Sequence, residues 1–195
     1  MLGAQGVLLA IPITGVMMSA CASHRPFDPA LINHEFYLCC NLRFNQDGDA
    51  TDANYAYPTA GTTIPYGTRV QVTKIDDWSI EIQPKNDSHT YHLELRFGRA
   101  AQTPSQYFQN ILRQTNPRET LKGVSPSVNE AVAQGQLIVG MTKDEAIVAR
   151  GYPPLHRTDS IQADEWVYYH TPGFVDRVRF LGGKIDSVKH GPAPE

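Results

Sequence analysis

Three cysteines, seven histidines and the carboxylate pair Asp76-Asp77 are the groups in this chain whose types and spacing could carry chemistry. Cys39 and Cys40 are neighbours inside an alternating apolar row, Phe36, Leu38, Cys40, Leu42, Phe44. Successive strand residues point to opposite faces, so Cys40 is expected in the core and Cys39 in the mixed, outward row. There Cys39 would be open to solvent, and to a bridge with another chain in an oxidising compartment. A ring between neighbours is disfavoured, because their Cα atoms stand about 3.8 Å apart, short of the usual disulfide range of roughly 4.4–6.8 Å. His89 and His92 would fall on opposite faces of a strand and cannot grip one metal ion together. The remaining histidines are scattered. Asp76 and Asp77 stand in a turn, where solvation is the expected state. The sequence holds no nucleophile elbow, phosphate loop or metal-binding helix motif. No catalytic residue, metal or cofactor is therefore expected.

Cys21 reads differently. An apolar run from Val7 to Met18 leads into Ser19, Ala20 and then Cys21. A helix crossing a bilayer needs roughly 20 apolar residues, a secretory h-region only about 7–15, and Pro12 and Gly15 weaken a permanent span. The arrangement resembles a bacterial lipoprotein signal, although Met1 to Gly6 lacks the usual Lys or Arg. That resemblance implies a signal over 1–20 and a mature chain starting at Cys21, acylated on its thiol and amino group. Ala22, rather than Asp, implies export to the outer membrane, facing the periplasm of a Gram-negative bacterium. Residues 21–33 contain Pro26 and Pro29 and no apolar period, and are expected to form a tether.

The elements that would position any site follow from periodicity. The chain has 195 residues, a net charge of −3 and 41% hydrophobic residues, which suits one domain or two small ones and argues against nucleic acid. Residues 34–98 alternate in short runs (Val70 and Val72; Trp78, Ile80 and Ile82; Tyr91, Leu93, Leu95 and Phe97) between polar turns, predicting a small antiparallel barrel or sandwich. Residues 99–126 hold a helix capped by Thr103, with Pro104 first and Gln106 completing a capping box, then a linker.

Residues 127–190 read as helix, helix, strand, strand, strand. Ser127 with Glu130 and Thr142 with Glu145 match capping boxes, and Gly135 and Gly151 suit helix ends. Trp166, Tyr168, Val178 and Phe180 are expected under the helices, and Phe174 shares the face of Val178 and Phe180 in the pattern. Arg177 and Arg179 fall on the other face, with Tyr169 also outward; Asp176 and Asp186 are expected to make surface ion pairs. Gly182-Gly183 is a hairpin turn, and the uneven spacing of Ile185 and Val188 predicts a bulge or a frayed edge there.

The run Gly140-Met141-Thr142-Lys143-Asp144-Glu145, then Gly151-Tyr152-Pro153, Trp166-Val167-Tyr168 and Phe180 before Gly183-Lys184-Ile185, resembles the outer-membrane lipoprotein family BamE, also called SmpA or OmlA. It covers roughly residues 127–189. The same two-helix, three-strand unit is similar to the repeated half of β-lactamase-inhibitor proteins. The small Ala146 and Ala149 and the charged Arg150 depart from that family's branched aliphatics, so a less deeply packed helix is expected; the β region at 34–98 is absent from its short members. The resemblance implies an α+β, non-catalytic, protein-binding lipoprotein of the envelope. Its partners would be membrane lipid through Cys21 and envelope proteins through Tyr169, Phe174, Arg177 and Arg179. The alternative it implies is an inhibitor of a periplasmic enzyme, inserting the tip Thr171-Pro172-Gly173-Phe174.

Overall fold

The computed structural model describes residues 27–55, 61–119 and 121–193; Cys21 and its apolar run lie outside the described residues. The fold is α+β. Eleven strands are described: β1 Glu35–Leu38, β2 Leu42–Phe44, β3 Asp49–Thr51, β4 Thr62–Ile64, β5 Arg69–Ile75, β6 Ser79–Pro84, β7 Tyr91–Glu94, β8 Leu112–Arg113, β9 Glu165–Thr171, β10 Phe174–Leu181 and β11 Lys184–Pro192. The described α-helices are α1 Pro104–Ile111, α2 Pro126–Ala133 and α3 Lys143–Arg150.

The first half is a curled sheet, a half-barrel in the order β3-β7-β6-β5-β1-β8, with β2 and β4 paired beside it. It is mixed, not purely antiparallel as expected, because β3 runs parallel to β7. The inward rows Val70 and Val72, Ile80 and Ile82, Leu93 and Leu95 are buried with Phe36, Phe44 and Phe108. Helix α1 starts as its sequence predicts: Thr103 accepts from the Gln106 N–H, and the Gln106 side chain reaches back to Thr103. It ends early. Leu112 turns extended and pairs with Leu38, adding β8 to the sheet. Phe27, which the sequence places in the tether, is buried against Phe108 with ring centroids 5.5 Å apart. Phe27 is therefore part of the packed body and not of a free tether.

The long strand expected over 36–44 breaks in the middle. Leu38, Cys39, Cys40, Asn41 and Leu42 are all at most 4% exposed, which no alternating strand with one solvated face can achieve. The chain bends at Cys39 and Cys40, which are joined to each other, and resumes as β2 in a different sheet. Cys39 is thus neither exposed nor available to another chain while this bond is closed.

The second half is the antiparallel sheet β11-β10-β9 under α2 and α3. Trp166, Tyr168, Val178, Phe180 and Ile185 pack on Val132, Met141, Ala146 and Ala149, as the pattern predicts. Helix α2 is capped by Ser125, not Ser127: Pro126 takes the first turn, and Ser125 Oγ accepts from Val128 N–H. Helix α3 has the expected capping box, and Gly151 follows at φ 84°, where a side chain would be strained. Ala146 and Ala149 are fully buried and Arg150 is 6% exposed. Small side chains here let the helix approach closely, rather than packing it less deeply. The bulge expected near Asp186 is present: Phe180 pairs Ile185, but Arg179 pairs Ser187.

Two buried asparagines join the halves. Asn41 Nδ2 donates to Val132 O at 2.7 Å and Ala149 O at 3.1 Å, and its Oδ1 accepts from Tyr66 N–H. Asn54, at φ 46°, donates to Asn41 O and Arg150 O and accepts from Arg43 N–H.

Candidate functional site

Beside this seam opens a cleft of about 370 Å³, lined by Arg43, Gly135, Arg150, His170, Asp176 and His190 among others. Its residues come from β2, the turn after α2, the end of α3 and all three strands of the second sheet. Asp176 is its anchor. Directly opposite it stand His190 on β11 and Tyr168 on β9. The β9–β10 register shifts between Phe174 and Val175, leaving His170 as the extra residue of a bulge. Such bulges re-aim side chains, and here His170 Nδ1 comes to 3.4 Å from Asp176 Oδ2. His190 Nδ1 lies 2.5 Å from Oδ1.

Arg150 completes the Asp176 shell. Its Nη1 donates to Oδ2 at 3.0 Å and its Nη2 to Tyr169 O at 2.7 Å. Both charged side chains are almost wholly inaccessible. Burial alone would raise the Asp176 carboxyl, but Arg150, the hydrogen bond from His190 and the charges of the two histidines outweigh it. Its pKa lies below the ordinary value, and the carboxylate stays ionised.

Arg43 extends flat over Gly135 and donates from Nη2 to its carbonyl at 2.9 Å. A Cβ on Gly135 would stand 2.7 Å from that nitrogen, and Gly135 has φ 66°, so both space and backbone favour glycine. Burial first, then the like charge of Arg150, pushes the Arg43 pKa down to about 10, with Asp176 opposing. The group remains cationic at neutral pH. Two guanidiniums, one carboxylate and two imidazoles thus share one cleft. The set can hold an ion or exchange a proton; none of these groups is an activated nucleophile.

The residues singled out from the sequence lie elsewhere. Tyr169 is 7% exposed and packs on Tyr55, ring centroids 4.9 Å apart, with its hydroxyl 3.0 Å from His156 Nε2. It is an inter-half core residue, not the exposed aromatic that alternation alone predicts. The reason is that the outer face of the second sheet is covered at this end by Ala53 and Tyr55. Phe174 is 55% exposed at the β9–β10 turn, apart from the buried Val178 and Phe180 whose face it shares in the sequence pattern. Arg177 is half-buried and Arg179 exposed on the outer face, where Arg179 meets Asp186 at 4.0 Å. Asp176 makes a buried pair and not the expected surface one. Cys21 lies outside the described residues. Sequence reasoning missed Arg43, Arg150, His170, Asp176 and His190 as a group, since strand register gathers the histidines about Asp176 and only the packing of β2 and α3 beside that sheet adds the arginines.

Comparison of the chain with protein families, curated proteins and solved structures returns no match.

Proposed function

We propose that this is a lipid-anchored outer-membrane protein facing the periplasm, acting as a non-catalytic binding scaffold in envelope assembly or integrity. The observation that carries this reading is Cys21 itself, placed after Ser19 and Ala20 at the end of the apolar run. Acyl chains on Cys21 hold the folded body near the bilayer, contributing about 0.8 kcal/mol per buried methylene. Anchoring raises local concentration, so a weak partner surface suffices. The resemblance of residues 127–189 to BamE-like lipoproteins points to the same setting.

The outer face of the second sheet is the partner surface that fits best. Arg177 and Lys189 stand directly opposite each other there, with Arg179 further along β10 on the same face. Like charges directly across a sheet are destabilising, and an acidic partner would relieve them. Phe174 lends an exposed apolar contact at one end. Cell fractionation tests the anchor: the wild type is expected in outer-membrane fractions and Cys21→Ala in the soluble periplasm. Wild-type protein in the soluble fraction would contradict the reading. Cross-linking in intact cells is expected to attach envelope proteins to the wild type, and to lose them in Arg177→Glu/Arg179→Glu.

A second reading is favoured by the exposed tip Pro172-Gly173-Phe174, with Gly173 at φ 83°. Such a tip suits insertion into an enzyme cleft. Inhibition of a periplasmic hydrolase that Phe174→Ala abolishes would select this reading; unchanged hydrolase activities would remove it.

A further inference from the structure

We propose that His170, Asp176 and His190 form a binding site for a divalent transition-metal ion of the zinc class, with an open coordination position facing the Arg43–Arg150 cleft. The proposal is independent of the lipid anchor.

The donor set carries it. Two imidazole nitrogens and a carboxylate oxygen lie within 4.8 Å of one another, contributed by three adjacent strands. Zinc ligands sit about 2.0–2.2 Å from the ion, so tetrahedral donors are roughly 3.4 Å apart. His170 Nδ1 stands 3.4 Å from Asp176 Oδ2 and His190 Nδ1 2.5 Å from Oδ1, so rotations of the two exposed rings are needed to set both nitrogens at that spacing from Oδ1. Two imidazoles sharing one tetrahedral ion hold their centroids roughly 5 Å apart; here the His170 and His190 rings are 5.6 Å apart, tilted 66°.

Rigidity and access are divided as such a site needs. Asp176 is buried and fixed through Oδ2 by Arg150, leaving Oδ1 to a ligand, in the manner of carboxylates oriented by outer-shell hydrogen bonds. The His170 and His190 side chains are 50% and 72% exposed, which gives an ion a path from solvent. Imidazole and carboxylate donors suit zinc, nickel or copper(II) better than magnesium or calcium. Arg43 and Arg150 oppose the ion's charge, and Asp176 cancels only one of them. The open position is therefore expected to take an anion, hydroxide or a carboxylate, within the 370 Å³ cleft. Three ligands with an open position differ from the closed four-ligand sets of structural zinc sites.

The test uses the full-length chain in detergent, without a histidine tag and stripped with chelator. Zinc chloride titrated by calorimetry is expected to bind at one equivalent and to raise the melting temperature. Cobalt(II) is expected to give visible absorption bands of a low-symmetry nitrogen–oxygen site. His170→Ala and His190→Ala change exposed side chains and should fold. Each is expected to weaken zinc binding by more than about 100-fold, since even outer-shell partners cost 10–100-fold. His92→Ala is the control. His92 makes a similar pair with Asp49 at 3.3 Å, and its loss should leave binding unchanged. Absence of saturable one-to-one binding, wild-type affinity in His170→Ala or His190→Ala, or loss in His92→Ala would overturn the proposal.

Discussion

Removing the Asp176 carboxylate should cost more than any other single change in the seam. Asp176 is 1% exposed and Arg150 6%, and the two meet at 3.0 Å. In Asp176→Leu the branched shape of the side chain is kept, but Arg150 Nη1 loses its acceptor while Nε already has none. The guanidinium cannot shed its proton to escape, and Arg43 adds a like charge in the same cleft. Breaking one side of a buried pair costs about 3–5 kcal/mol. For a chain of this length that lowers the melting midpoint by about 6–20 °C. Arg150→Met should cost less, because the stranded carboxyl can take up a proton and the histidines still face it. The double variant Asp176→Leu/Arg150→Met should return close to wild type, since apolar replacement of a buried pair is often neutral. Urea unfolding of all four proteins gives the cycle. A single-variant loss under about 1 kcal/mol, or additive losses in the double variant, would refute the claim that a buried ion pair sits here.

Asn41→Ala strands Val132 O, Ala149 O and Tyr66 N–H in the seam, and should cost about 2–4 kcal/mol by urea unfolding; a loss below about 0.5 kcal/mol would mean that water replaces the amide and contradict the assignment. Cys39 and Cys40 should resist iodoacetamide in the unfolded, non-reduced protein and take two labels only after reductant, with monomer migration unchanged; labelling without reductant contradicts the closed ring. Burial lowers the His156 pKa, opposed by Asp52 and assisted by Arg157. A lowered imidazole contributes stability above its ordinary value of about 6.5, lost as pH falls through that value toward the folded one. Melting temperatures of His156→Phe should therefore fall less than wild type between pH 7.5 and 5.5, and an equal fall would sink the assignment.

Local signals were legible where short-range chemistry decides. The capping boxes at Thr103 and Thr142, the stop at Gly151 and the uneven Ile185–Val188 spacing all read through to structure, because each depends on residues a few positions apart. The core set Trp166, Tyr168, Val178 and Phe180 followed from strand alternation. What failed needed partners far along the chain. The parallel β3–β7 pair joins residues about forty positions apart, and no turn chemistry announces it. The bend at Cys39 and Cys40 arises because both faces of residues 38–42 are covered, by the half-barrel on one side and by α2 and α3 on the other. Tyr169 turned inward for the same reason, since Tyr55 covers the sheet face it occupies. The cleft was least legible. Arg150 looked like a helix-dipole partner, which its place in the last turn does satisfy. Its pairing with Asp176, and the approach of His170 and His190, depend on the register of three strands and one bulge.

Attachment of lipid to Cys21 underlies the proposed place and role of the protein, and intact-mass analysis of the amino-terminal peptide from Gram-negative membranes tests it most directly. The expected result is a chain beginning at Cys21 with a diacylglyceryl thioether and an N-acyl group. An unmodified Cys21, or a mature terminus at another residue, would contradict it.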